Sequence, residues 1–568
     1  MKKMGNRLLA SMMAGLIVLG TTACGSTNES SGTGEPEKGQ TTPTASAVVI
    51  EDADPFKKYD PPITISTIRS IDETSDSMKF VDGEDAENNV MYKLFEDLMG
   101  IKVTNKILAA PNASKDKMQL AIASDDIPDF GLVDQTTLAQ LIKGDMVEDL
   151  TPYYEAYASE NLKTVLGQSE NALFEPAQRD GKTYALPAPT TIYDYTPVLW
   201  INKTWRENLG YQLPKSMDEV FDLAMAFATQ DPDKNGVKDT YGLYMNKELE
   251  GVNFIMNAYG VYSTPFTGDA TRYMMWFKNS EGNYENGVTD PKTVDVLKRF
   301  NELYKAGGID PEFAIKDVNK ANELIAAGKV GMYTGYFYSA FTAYDMRKNF
   351  PDAQWETISF PAAQGVDEYR PGVPLNAYGY YYVKKGYTNP EALVVMMNYV
   401  CDGYGAPWLV EGEPTEFDKR YTEAANDPKY SGKNMNNWMP LQIAGNINWG
   451  PIFQEAIDKG ETQVKGKQAD FDRVTKTEEP LDKWLWEMIY LNGYMSAEYA
   501  NVKYSDYNGA PTATWQQVKS LLDKEQLEAY VGFIMGEKSL DEFDDFVSRY
   551  NSLGASKIAE EIKEAKAQ

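Results

Sequence analysis

Between Pro61 and Ala109 the chain runs through a strand pattern, an amphipathic helix and a second strand pattern, and this succession limits the fold more than any other feature. ITISTI alternates Ile63, Ile65 and Thr67 as a strand does. Val90, Met91, Leu94, Phe95, Leu98 and Met99 then fall on one face of a helix, with Gly100 placed to stop it. IKVTNKIL supplies the next strand. Strand, helix, strand at this spacing is a crossover unit and predicts a mainly parallel sheet covered by helices. The rhythm recurs. Lys115 to Ala123 is helical in pattern, SDDIPDFGLV brings a breaker and a short apolar strand, and Ser216-Met217-Asp218-Glu219 is a capping box that should open a helix ending near Thr229. Val294 to Ala306 reads as another helix, stopped by Gly307-Gly308 and Asp310-Pro311. No internal repeat is present.

A chain of 568 residues can bury large cores and should split into at least two domains. Histidine is absent, which removes the commonest general base, the commonest transition-metal ligand and every Ser-His or Cys-His nucleophile. Of the two cysteines, Cys24 and Cys401, the second ends the apolar run from Ala392 to Val400 and reads as a small core side chain. If Cys24 is acylated, no intrachain disulfide is possible, and the fold must stand on core packing. A net charge of -29 argues against nucleic acid or an anionic membrane face as partner, and otherwise serves solubility.

The N-terminus reads as an export signal. Lys2, Lys3 and Arg7 precede an apolar run from Leu8 to Leu19, then small residues ending on Cys24, the position at which a lipoprotein signal is cut and its thiol acylated. Thr21 departs from the leucine usual there, and an ordinary cleaved signal is the plain alternative. Residues 1–23 are therefore expected to be removed. Residues 24–58 form a lipidated cysteine and a spacer whose Ser26 to Ser46 stretch is too polar to repay ordering. No apolar run is long enough for a permanent span. The mature chain is expected on the extracellular face of the cell membrane, held by its lipid.

The strongest local motif is Asp231-Pro-Asp233-Lys-Asn235-Gly236-Val237-Lys-Asp239. Oxygen donors stand at positions 1, 3, 5 and 9, glycine at 6, and the Val237 carbonyl faces inward, the spacing by which a loop wraps calcium. Position 12 is Gly242 in place of a bidentate Glu, so water or Thr240 would complete the shell. A solvated Asx-turn loop is the rival reading. A bound ion would be structural.

Longer stretches carry a family likeness. GKTYALPAPTTIYDYTPVLWINKTW, LPKSMDEVFDLAMAF and DPDKNGVKDTYGL, with IASDDIPDF, GKVGMYTGYF, VKKGYTNPEALVVMMNYV and the closing segment from YNGAPTATWQQV, resemble the extracellular solute-binding proteins of family 1, the carbohydrate-type binding proteins of ABC importers, in their long Gram-positive lipoprotein form. The resemblance covers about residues 60 to 555. It implies an α/β, two-lobed, periplasmic-binding-protein-like fold of the class II type, each lobe a mainly parallel sheet flanked by helices. Residues 59–190 with about 376–436 would form the first lobe, and 191–375 with about 437–568 the second, including a C-terminal helical segment. Hinge crossings are expected near Ala188 to Asp194 and Pro374 to Ala377. Closure around a sugar would present a surface to a permease. The family's acidic loop in large oligosaccharide binders also holds calcium.

A sugar cleft wants aromatic platforms beside polar partners, and the chain has 37 Tyr and 10 Trp. By matching segments, the resemblance places Arg69, Asp134, Gln135, Thr136, Tyr193, Asp194, Tyr195, Tyr336, Phe337, Trp438 and Trp449 at the cleft, ordinary packing being the rival for each. The expected activity is capture of an oligosaccharide or related polar solute by a monomer, without catalysis. The alternatives are a surface glycoside hydrolase or lyase working through carboxylates, and an adhesin or signalling co-receptor on the same fold.

Overall fold

The structure is a computed structural model that describes residues 50, 52–71, 79–168, 172–263, 274–373, 375, 377–430 and 433–566. For Pro111, Asn112 and Asp194 only the backbone is described. The export signal, Cys24 and the Ser26 to Ser46 spacer lie outside the described residues.

β1 (Ile63–Ser70) and β2 (Ile101–Ala109) pair in parallel, Ile63 beside Ile101, with α1 (Val90–Met99) between them in sequence. The helix begins because the Asn89 side chain accepts the amides of Met91 and Tyr92, at 3.0 and 3.1 Å. It ends at Gly100, whose φ of 65° and close approach to the Tyr59 carbonyl leave no room for a Cβ. α2 (Pro111–Ala123), β3 (Phe130–Val133), α3 (Gln135–Lys143) and β4 (Leu186–Pro189) complete this part of the first lobe.

The chain then enters a different sheet as β5 (Val198–Asn202), followed by α4 (Met217–Thr229), β6 (Tyr241–Leu243), α5 (Thr293–Lys305), β7 (Val330–Gly335) and β8 (Trp355–Ile358). The strand order is β8-β5-β7-β6. After β9 (Gly372–Val373) the chain returns to the first lobe as β10 (Ala377–Val383), which inserts between β3 and β4, and α6 (Glu391–Val400) follows. A last passage reaches α7 (Trp449–Lys459), β11 (Lys503–Tyr504), α8 (Ala513–Met535) and α9 (Ser556–Ala565). Asn301 on α5 fixes the end of α8 by donating to the carbonyls of Phe533 and Ile534 at 3.1 and 3.0 Å.

Each lobe has its own cores. Phe95, Ile101, Leu393 and Trp438 belong to one first-lobe cluster and Leu138, Leu141 and Tyr382 to another. Phe227, Phe300, Met332 and Phe533 anchor the large second-lobe core, while Trp200, Tyr333, Phe453 and Tyr490 anchor a second one. Each such side chain, fully buried, contributes about 1.5–3 kcal/mol. Cys401 is buried and free, so packing does the work that a disulfide would share.

The α/β architecture and the crossover unit match the sequence reading, and two details need correcting. Parallel pairing joins β1 to β2, β6 to β7 and β9 to β11. β10 runs antiparallel to β3 and β4, and β5 antiparallel to β7 and β8. A strand arriving from the other lobe enters its sheet from the opposite end, which sets its direction. The Ser216 cap also differs: Ser216 Oγ accepts the Glu219 amide at 3.2 Å, but Glu219 returns the bond to the Lys215 amide, at 2.7 Å. No helix among the described residues is long and apolar enough to cross a membrane.

Candidate functional site

The passages between the lobes are tied to one another. Asn446 Oδ1 accepts the Ile192 amide at 2.6 Å, the Asn446 amide donates to Gln168 Oε1 at 2.8 Å, and the Ala444 amide donates to the Pro189 carbonyl at 3.0 Å. The Gly445 amide donates to the Gly405 carbonyl at 3.0 Å. The stretch after Ile443, which the sequence reading singled out only for Trp449 and not as a passage, is thus stitched to the first passage between β4 and β5. A Cβ on Gly445 would come within 3.0 Å of the Trp408 ring, so the stitch also needs a small residue.

The residues singled out from sequence fall in different surroundings. Arg69, at the end of β1, donates through Nη2 to the Asn437 carbonyl at 2.6 Å and through Nη1 to the Met439 carbonyl, and its Nε is buried without a hydrogen-bond partner. Asp134 caps α3, accepting the Thr137 amide at 2.7 Å and pairing with Lys115 at 3.1 Å. Burial raises its pKa, but the Thr137 and Lys115 contacts outweigh that and hold the carboxyl below its ordinary range. Gln135 is buried and Thr136 half-buried.

Tyr193 is fully buried, its ring 5.0 Å from Tyr494 and 4.9 Å from Tyr499. Asp194 has only its backbone described, and Tyr195 is half-buried against the same second-lobe cluster. Tyr336 stacks on Tyr338 at 5.5 Å and meets the edge of Phe254 at 5.6 Å, while Phe337 lies 4.1 Å from Tyr494. Rings from Tyr336 to Tyr193 therefore form one wall. Trp438 stands apart from it: it is fully buried in the first lobe and stacked on Phe80 at 5.2 Å, which leaves no free face in this conformation. Trp449 meets the partly exposed Trp408 at 5.3 Å. Both line a groove of about 320 Å³ together with Glu455, Lys459, Glu461 and Lys465.

Three exposed rings beside the passages carry no local motif. Tyr378 opens β10 and is 56% exposed, Tyr338 follows β7 at 40%, and Tyr499 sits on Tyr193 at 39%. Only the fold brings them to the passages, so sequence spacing could not single them out.

The acidic loop is turned at Gly236, with a φ of 80°. Asp231 accepts the amides of Asn235 and Gly236 at 3.1 and 3.0 Å, and the Asn235 side-chain amide donates to Asp233 and Asp239 at 2.8 and 3.2 Å. Lys329 pairs with Asp239 and lowers its pKa, whereas burial and the neighbouring Asp231 raise that of Asp233. The loop's side chains are thus hydrogen-bonded among themselves, to its own amides and to Lys329. Among the described residues no three acidic, His or Cys side chains are arranged to hold a metal ion.

Residues 91–403 match the family model for bacterial extracellular solute-binding proteins, more than half of the 568-residue chain, and the chain belongs to that family. It is 22% identical over 489 residues to the polygalacturonan/rhamnogalacturonan-binding protein YtcQ of Bacillus subtilis, covering 82% of this chain and 86% of that one. Lipoprotein LipO of the same organism is 25% identical over 230 residues, 40% of this chain and 43% of its own. The fructooligosaccharide ABC transporter substrate-binding protein FusA of Streptococcus pneumoniae is 28% identical over 236 residues, 38% and 41% of the two chains.

Among solved structures, an HMO-binding, ABC-transporter-associated solute-binding protein of Bifidobacterium longum infantis superposes with a TM-score of 0.60 at 18% identity, over 89% of this chain and 98% of that one. An EF-hand mutant of FusA with fructo-nystose superposes at 0.52 and 16% identity, over 89% and 98%. The fold is the two-lobed fold of these solute-binding proteins.

Proposed function

We propose that this chain is the lipid-anchored capture subunit of an ABC importer, which takes an oligosaccharide or related polar solute into the cleft between its lobes. The observation that carries this reading is the knot at Asn446. Passages that belong to both lobes and are hydrogen-bonded to each other make a hinge, and a hinge lets two rigid lobes close on a guest. The half-exposed rings beside it suit the apolar face of a sugar. Relatives named for polygalacturonan/rhamnogalacturonan and for fructooligosaccharide support a saccharide guest.

In this reading residues 59–190 and about 376–443 form the first lobe, because Trp438, Leu441 and Ile443 pack into its core, and 191–375 with about 449–568 form the second. Arg69, Asp134 to Thr136, Tyr193 to Tyr195, Tyr336, Phe337 and Trp449 border the cleft. Cys24 carries the lipid and the protein works as a monomer beside its permease. The likeness to a lipoprotein supports the anchor.

Calcium is the ion we assign to the Asp231–Asp239 loop. The order of carboxylates and the turn at Gly236 fit it, provided the Asn235 side chain turns its oxygen inward and Lys329 releases Asp239. The loop would gain rigidity from the ion and take no part in capture.

A thermal-shift screen over oligosaccharides, followed by calorimetry on the hits, tests the reading. Stoichiometric heat without new reducing ends is the expected outcome. Reducing ends that accumulate over many turnovers would favour a surface glycosidase or lyase.

A further inference from the structure

The chain from Tyr494 to Tyr504 closes over two passages at once. On one side Tyr494 and Tyr499 lie against Tyr193, between β4 and β5. On the other, β11 pairs with β9, and Arg370 donates to the carbonyls of Asn501 and Val502 at 3.4 and 3.0 Å. Glu498 and Tyr499 are held between these anchors. The surrounding polar groups are unsatisfied. Tyr193 and Tyr369 are buried; the Tyr193 hydroxyl meets that of Tyr499 without a hydrogen bond of normal geometry, and the Tyr369 hydroxyl has no hydrogen-bond partner among the described residues. The half-buried Glu498 carboxylate makes no hydrogen bond or ion pair among the described residues. Burial first, then the Tyr499 hydroxyl at Tyr193 and the Tyr262 and Tyr336 phenols at Tyr369, with the Glu498 charge a smaller cause in each, raises the pKa of both phenols far above the ordinary range, so each stays a neutral donor.

An unsatisfied buried hydroxyl costs about 1–3 kcal/mol, and two of them with a half-buried, unpaired carboxylate on the same segment imply that something else supplies the bonds. The guest must donate to a carboxylate, accept from phenols and offer an apolar face to a ring. A sugar hydroxyl does the first two and the C–H face of a pyranose or furanose the third. A uronate would set its own carboxylate against the unpaired Glu498.

We propose that Tyr193, Tyr369, Glu498 and Tyr499 form a subsite for one neutral sugar unit, whose hydroxyls donate to Glu498 and accept from the two phenols while its C–H face rests on the Tyr499 ring. The subsite rests on the saccharide-binding reading and narrows it to guests with an uncharged unit at this position. Tyr499, packed on Tyr193 yet 39% exposed, is the face shown to solvent, and a turn of its side chain uncovers the Tyr193 hydroxyl.

Calorimetry on the whole mature chain, with a panel of neutral gluco-, galacto-, xylo- and fructo-oligosaccharides and a matched panel of oligogalacturonates, tests it. The wild type is expected to bind a neutral member, and Glu498→Gln and Tyr499→Ala each to weaken that binding by about tenfold or more at an unchanged melting temperature. Tyr499→Phe should keep most of the affinity. Should one variant fail to fold, the other decides. Binding of oligogalacturonates alone, or neutral binding untouched by the variants, overturns the subsite and leaves the saccharide reading standing. Binding of no panel member by the wild type overturns the saccharide reading and the subsite with it.

Discussion

The Asp231–Asp239 loop and the pocket at Glu498 are both acidic, and they are built in opposite ways. In the loop, Asp231, Asp233 and Asp239 find their partners within a few residues or at Lys329. Glu498 finds no hydrogen bond or ion pair among the described residues, and the buried Tyr193 and Tyr369 hydroxyls lack a hydrogen bond of normal geometry. A loop that satisfies itself holds its shape without a guest and can add stability when an ion replaces its internal donors. A pocket that leaves its polar atoms unsatisfied loses stability until a guest arrives, and differential binding energy of that kind is what drives lobe closure.

The largest effect that could sharpen this contrast is expected at Trp200. Its ring stacks on Tyr333 at 5.5 Å and its indole N–H donates to the Tyr336 carbonyl at 3.3 Å, so it holds up the aromatic wall from behind. Trp200→Ala should cost about 3–5 kcal/mol in thermal or denaturant unfolding. A loss below 1 kcal/mol would mean that the wall does not depend on this support.

Next comes the loop itself. Asp231→Ala removes the acceptor of two backbone amides and is expected to lower stability by about 1–2 kcal/mol and to abolish any rise in melting temperature with calcium. A wild type whose melting curve is unmoved by chelation would reduce the loop to an Asx turn and remove the ion from the account.

Asp134 tests whether an acid near the end of a first-lobe strand is structural. Asp134→Ala should cost about 1 kcal/mol through loss of the α3 cap. Since the folded carboxyl titrates below its ordinary value of 3.8, the contribution is complete above that value and disappears as the pH falls through the folded one. Asp134→Asn should keep most of the cap and lose this acid dependence. The smallest effect is expected from mild pH changes: without histidine no side chain titrates at its ordinary pKa between pH 5 and 8, so melting temperature and affinity should stay flat from pH 6 to 8.

What could be read from the sequence was whatever has its partners nearby in the chain. The β1–α1–β2 unit, the Gly100 stop and the helix from Met217 to Thr229 depend on spacings of a few residues, and they stand where the pattern put them. The antiparallel course of β10 could not be read, because its partners β3 and β4 lie far back in the chain, at Phe130–Val133 and Leu186–Pro189, and its direction follows from the lobe it comes from. Trp438 shows the same limit at a single side chain. NNWMP marks a tryptophan in a polar stretch, but only the packing of Phe80 and Tyr430 around it shows a core residue. The pocket at Glu498 gathers Tyr193, Tyr369 and Glu498 from three distant stretches, and no local motif announces it.

Closure of two lobes around an unaltered polar guest is the central claim, and small-angle X-ray scattering with and without a bound oligosaccharide from the screen tests it most directly. The account expects the radius of gyration to shrink on binding, with the guest recovered intact afterwards. An identical scattering curve at saturating guest would contradict it.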